Sequence, residues 1–138
     1  MHEHEGEQAR HGKVQVDLPE PHIDARGSIQ PLVDDDIKSA QLISSRAGSV
    51  RANHYHLTDY HYMYVLTGAF DYYYRPTGSA AAPKCVRVRA GEMVFTPPMV
   101  EHAVRYLEDT TFVNFSGRKR DQGSYETDLV RVRLIATD

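Results

Sequence analysis

Tryptophan is absent from this chain, and cysteine occurs once, at Cys85. One thiol cannot close an internal disulfide, so core packing and hydrogen bonds must hold the fold, and a reduced, cytoplasmic setting is expected. Long apolar runs are also lacking: no stretch approaches the ~20 residues that would cross a bilayer as a helix. The opening segment, MHEHEGEQARHG, has no apolar centre, so neither a signal peptide nor a membrane anchor is expected there. Charge of one sign is not in excess. Sixteen basic residues stand against 19 acidic ones, a formal net charge of −3. The basic residues are scattered among acids, whereas a nucleic-acid surface needs them clustered on one face, so no nucleic-acid partner is expected. No segment repeats apolar residues at helical spacing over a useful length.

What the chain does have is a series of short strand-like segments divided by glycine and proline. At 138 residues it is expected to be one domain, residues 13–138, behind a solvated tail at 1–12. Val14–Leu18, Ser28–Val33, Lys38–Ser44, Val50–His56 and His61–Thr67 read as strands. So do Ala69–Arg75, Cys85–Arg89, Met93–Thr96, His102–Tyr106, Thr111–Phe115 and Asp128–Ile135. Gly117–Tyr125 is a polar connection with room for a short helical turn. Many short strands with turn signals between them give an all-β sandwich or barrel.

The stretch Gly48–Gly68 carries His54, His56 and His61, and His102 follows a later strand that starts after Gly91. Residues i and i+2 share a face of a strand, so His54 and His56 point the same way, with Ala52 beside them. His61 joins them if the chain reverses between Leu57 and Tyr60. Met63, Val65, Val104 and Tyr106 share the faces of His61 and His102, giving a pocket with a polar end and apolar walls. Imidazole donors suit zinc, iron, nickel or copper, and manganese is also compatible. One divalent transition ion per chain, held by His54, His56, His61 and His102, is therefore expected. A tetrahedral four-histidine shell leaves no position for chemistry, whereas a five- or six-coordinate ion keeps water positions, and the residues do not choose between them. Arg51 and Tyr106 are the candidate catalytic residues beside the ion.

Gly48, His54, His56, His61 and Gly68 fall on the first motif of the cupin superfamily, with His61 where a glutamate usually stands. Gly91, Pro97 and His102 fall on its second motif, where Met99 and Tyr106 replace a glycine and an asparagine. This resemblance covers Gly48–Tyr106 and implies a double-stranded β-helix (jelly-roll-like) barrel with a metal inside. It further implies an enzyme (isomerase, lyase or dioxygenase) acting on a small carbonyl, enol or sugar-like substrate, and a homodimer. A second resemblance, carried by Asp24-x-Arg26-Gly27-Ser28 and Gly48-x-x-Arg51-x-x-His54-x-His56, is to the nucleotide-sugar cupins. Those are the dTDP-4-keto-sugar 3,4-ketoisomerases and, more remotely, the 3,5-epimerases. It implies a metal-free alternative in which Arg51 pairs with a pyrophosphate and His54 or His56 moves protons beside a keto group. A third possibility is a barrel that binds a small ligand without turnover. The block RDQGSYETDLVRVRL resembles the tail of small cupins found near polysaccharide genes.

Overall fold

The computed structural model describes residues 14–137, and the expected tail at 1–12 lies outside them. Two short strands come first, β1 (His22–Asp24) and β2 (Gly27–Ile29). Then follow β3 (Ser39–Ser45), β4 (Val50–His56), β5 (His61–Thr67), β6 (Ala69–Pro76), β7 (Lys84–Arg89), β8 (Met93–Thr96), β9 (Val100–Tyr106) and β10 (Thr110–Ser116). A short helix, α1 (Gln122–Asp128), leads into β11 (Leu129–Arg131). No described helix is long and apolar enough to cross a membrane.

The strands form two larger sheets, β3-β10-β5-β8 and β11-β4-β9-β6-β7, in which sequence neighbours are mostly not sheet neighbours. The all-β expectation holds. The pairing makes two facing sheets rather than one closed cylinder, because β3, β8, β11 and β7 are edges. Alternation decides what goes inside. Thr110, Phe112, Asn114 and Ser116 of β10 are buried, while the residues between them are half-exposed. Phe70, Val65, Val88, Val104, Tyr106 and Phe112 pack between the sheets. Each such side chain contributes roughly 1.5–3 kcal/mol on burial. A second cluster, Val16, Tyr62, Met93 and Phe95, lies outside the four-stranded sheet, where Leu18, Val33 and Ile37 cover it. This explains why β5 opens with three buried residues in succession: it is covered on both faces.

Several strand ends fall one or two residues from the sequence reading, and three segments differ by more. Val14–Leu18 makes only one bridge, Gln15 to Val94. The Ser28–Val33 segment stops at Ile29 and pairs with β1 in a hairpin, two residues short of Pro31, which has no N–H to offer. The last strand ends at Arg131, because Asn53 Oδ1 accepts the amides of Leu134 and Ile135 and draws the chain away from β4.

Gly68 joins β5 to β6 with φ +90°. A Cβ there would lie 2.5 Å from the Asp109 carbonyl oxygen and 2.7 Å from Thr110 Cα. Gly68→Ala is therefore expected to destabilise the protein by about 2 kcal/mol or more. Urea denaturation checks this; an unchanged midpoint would mean the β5–β6 turn is built differently.

Candidate functional site

The site begins with a fault in β4. Ala52 and Asn53 both take left-handed conformations, φ 72° and 59°, and the pairing with β9 shifts register between Ala52 and His54. Simple alternation would put Arg51 on the face opposite His54; with the bulge between them Arg51 pairs with Val104 and His54 with His102, two residues of one face, and Arg51 lines the same cavity as His54 and His56. Beyond the bulge His54 stands directly opposite His102 on β9. His61 enters from β5 in the other sheet, with its ring 4.5 Å from that of His56. His54 lies 4.8 Å from His56 and 4.7 Å from His102, centroid to centroid. The four imidazoles thus converge, as expected. Their donor atoms do not gather around one point, however. They form two overlapping triads, His54–His56–His102 and His56–Asp59–His61, each with mutual distances within 4.8 Å.

The outer edges of the rings are held by the protein. His102 Nδ1 donates to the Val100 carbonyl at 3.0 Å, which leaves Nε2 as a lone pair. His61 Nδ1 meets Asn114 Oδ1 and Ser116 Oγ, each at 3.1 Å. His56 Nδ1 lies 3.3 Å from Asp128 Oδ2, and His61 Nε2 lies 3.3 Å from Asp59 Oδ2. Both nitrogens are buried, and neither is aligned for a hydrogen bond with its carboxylate. Imidazole nitrogens with a carboxylate oxygen are a donor set that suits a divalent transition ion, and each triad gathers three such atoms within 4.8 Å. Asp59 supplies an oxygen donor that the histidine spacing alone did not reveal.

Burial sets the protonation states. It pushes His54 down to about 2, helped by the neighbouring His102 and His56. It pushes His102 down to about 4 and His61 well below the ordinary histidine range. His56 is lowered by burial too, but Asp128 opposes the shift. The two carboxylates behave differently. Burial raises Asp59 to about 6. Burial also acts to raise Asp128, but hydrogen bonds from the Thr58 hydroxyl and from the amides of Thr58 and Asp59 outweigh it, and Asp128 stays low.

The cavity holds about 170 Å³. Arg51 donates from Nε to Ser45 Oγ at 2.7 Å and from Nη2 to the Ser44 carbonyl at 3.2 Å. Tyr106 also lines the cavity but is 1% exposed, its ring stacked on Phe112. Burial raises the Tyr106 phenol, against the hydrogen bond to Ser45 and the nearby Arg51 charge, so it stays neutral. The sequence reading missed Asp59, Asp128, Arg120 and Tyr125; Arg120 and Tyr125 line the same cavity. The resemblance of the block RDQGSYETD to other tails was the signal available for the last three.

No protein-family description matches the chain, and no curated protein matches it in sequence. Solved structures do match in shape. The QdtA sugar 3,4-ketoisomerase of Thermoanaerobacterium thermosaccharolyticum, in complex with TDP, superimposes with a TM-score of 0.66 at 16% identity, covering 83% of this chain and 84% of that one. The chain has a cupin fold. ChmJ, a 3'-monoepimerase from Streptomyces bikiniensis in complex with dTDP-quinovose, matches with a TM-score of 0.66 at 17% identity over 80% of this chain and 67% of that chain. CapF, a capsular polysaccharide assembling protein from Staphylococcus aureus, matches with a TM-score of 0.64 at 20% identity. There the match covers 85% of this chain but 34% of that chain. At these identities the likeness is one of fold.

Proposed function

We propose that this cupin is an isomerase or epimerase of nucleotide-linked keto sugars that works by moving a proton beside the keto group. The observation that carries the reading is the His56–Asp128 pair at the cavity wall. A base must accept a proton at neutral pH, and burial lowers His54 and outweighs the hydrogen bonds from His61 to Asn114 and from His102 to Val100, so all three are weak bases. His56 is opposed in its downward shift by the charge of Asp128, a carboxylate that hydrogen bonds hold low, whereas Asp59 beside His61 is itself raised to about 6. Several fold neighbours support the substrate class: a 3,4-ketoisomerase, a 3'-monoepimerase and a dTDP-4-dehydrorhamnose 3,5-epimerase from Sulfolobus tokodaii, the last with a TM-score of 0.62 at 19% identity.

In this mechanism His56 takes the proton from the carbon next to the carbonyl. The C–H electron pair forms a C=C bond, and the carbonyl π pair moves onto oxygen, giving an enediolate. His56 returns the proton to the former carbonyl carbon while the oxyanion takes a proton and the neighbouring hydroxyl gives one up as its oxygen becomes the new C=O, which shifts the ketone by one position; or a second donor protonates the opposite face of the same carbon as the C=O re-forms, which inverts it, and His56 then sheds its proton to solvent. Neutral His54 can donate an N–H to the developing oxyanion, and a neutral imidazole suffices for that role. His102, with only a lone pair on Nε2, accepts from a sugar hydroxyl. Arg51 anchors a phosphate, and Tyr106 contributes a neutral hydroxyl beside it.

A metal-dependent reaction is the second reading, favoured by the two buried, misaligned nitrogens of His56 and His61. His54, His56 and His102, with Asp59 and His61 alongside, would hold the ion. Its contribution would be to polarise a carbonyl oxygen as a Lewis acid. One experiment separates the readings: assay TDP-4-keto-6-deoxyglucose by NMR before and after chelation, with elemental analysis of both samples. Turnover is expected to survive metal removal. Turnover lost with the ion and restored by one ion per chain would transfer the assignment to the second reading, and no turnover in either sample would overturn both.

A further inference from the structure

We infer that Arg120, carried by the block Arg120–Asp128, is a second cationic arm at the cavity that joins Arg51 in an anion grip on phosphoryl oxygens of the ligand. The phosphoryl assignment rests on the proposed substrate class; the requirement for an anion does not.

Among the residues lining the cavity, only Arg51 and Arg120 carry a fixed charge, and no carboxylate lines it. Asp59 and Asp128 stand behind the imidazoles rather than on the wall. A histidine is neutral or positive, never negative, so nothing on the wall balances the two guanidiniums. Elsewhere in the described chain several arginines are matched: Arg26 with Asp24, Arg75 with Glu101, Arg87 with Asp71 and Arg131 with Glu126. The two at the cavity are matched by neutral groups. Arg51 meets Ser45 and Ser44, and Arg120 meets Gln41 Oε1 at 3.2 Å and the face of Tyr125 at 4.3 Å. A cation stacked on an aromatic ring keeps its full charge. Of the five N–H bonds of Arg120, one is used in that contact with Gln41, which leaves donors for a bidentate oxygen ligand.

The two cations are also tied together mechanically. Arg51 sits on the bulged strand β4, and Arg120 on the connection after β10. That connection is bolted at its far end, where the Leu57 amide donates to the Asp128 carbonyl and the Thr58 and Asp59 amides donate to its carboxylate. β11 then pairs with β4 itself, placing Arg131 opposite His54. The block is thus tied to the strand that carries Arg51 and His56, so the two cations are referenced to one element. A block with little apolar content, held by so many polar ties, is explained by what it presents to the cavity.

Calorimetric titration of the full chain with TDP, inorganic pyrophosphate and glucuronate tests this. TDP and pyrophosphate are expected to bind, and glucuronate, a sugar carboxylate, at least tenfold more weakly. Arg120→Ala is expected to weaken TDP binding by about 10- to 100-fold, with Arg120→Lys retaining part of it. Arg87→Ala, on an ion pair of the outer sheet face, should leave it unchanged, and equal melting temperatures would show that all variants fold. TDP binding unaffected by Arg120→Ala overturns the grip, as does a wild-type protein that binds none of the anions. Glucuronate binding as tightly as pyrophosphate overturns the phosphoryl assignment. The isomerase reading fails separately: Arg120-dependent TDP binding without keto-sugar turnover leaves the grip standing, and turnover with a KM indifferent to Arg120→Ala leaves only the reaction.

Discussion

His56→Asn is expected to lower kcat for a dTDP-keto-sugar by about 100- to 10,000-fold, the usual contribution of a positioned acid–base group, while leaving TDP affinity within a few-fold of wild type. Asparagine fills similar space and still hydrogen-bonds, but it cannot carry a proton. The effect should therefore fall on kcat rather than on ground-state binding. Asp128→Asn is the companion variant. Its one carboxamide oxygen can keep the contacts to Thr58 but not also the one from the Asp59 amide, and it removes the negative charge that favours a protonated His56. The pKa of His56 should then fall. Because the base must be neutral to act, the acid limb of kcat/KM should move to lower pH as the rate drops. A rate loss with no movement of that limb would mean that Asp128 only holds the turn. Full activity in His56→Asn would remove His56 as the base altogether.

The histidine cluster was legible because strand geometry has a period of two, so His54 and His56 had to share a face. A glycine turn after His61 and another before the strand of His102 were enough to bring in the rest. Edge positions and pairing order were not legible, since nothing local tells β5 that its neighbours are β10 and β8. The bulge was hidden for a specific reason. Asparagine tolerates a left-handed backbone, but the alanine before it does not advertise one, and Ala52 takes that conformation too. Asp128 was hidden by its neighbours: the alternation of Leu129–Leu134 extends smoothly back to it, so it read as the first residue of a strand rather than the last of a helix. Asp59 sat in an expected turn, where an acid normally faces water, and it is 6% exposed. The charged wall of the cavity could not be read at all, because Arg51 and Arg120 become neighbours only through the fold.

Acid should unfold this protein early. In chelated protein, stability is expected to fall by on the order of 4 kcal/mol between pH 7 and pH 5, a large part of the 5–15 kcal/mol typical of a domain. Below pH 6.5 the unfolded chain protonates its histidines, while folded His54, His102 and His61 stay neutral, at about 2, about 4 and well below the ordinary range. Each such group favours the unfolded state by about 1.4 kcal/mol per pH unit as pH falls. Asp59 works the other way. Its folded carboxyl sits at about 6 against 3.8 unfolded, so below pH 6 the folded state gains a proton that the unfolded state does not, offsetting one of the three histidines. The net slope near pH 5 is then about two groups, or roughly 3 kcal/mol per pH unit. Urea denaturation at pH 7, 6 and 5 with chelator present measures it, and His102→Gln should make the slope shallower by about one group. Equal stability at pH 7 and pH 5 would mean that the folded imidazoles take up protons as readily as the unfolded ones. Asp59 and Asp128 would then be counter-ions to a charged cluster, and the argument that singles out His56 as the base would lose its ground.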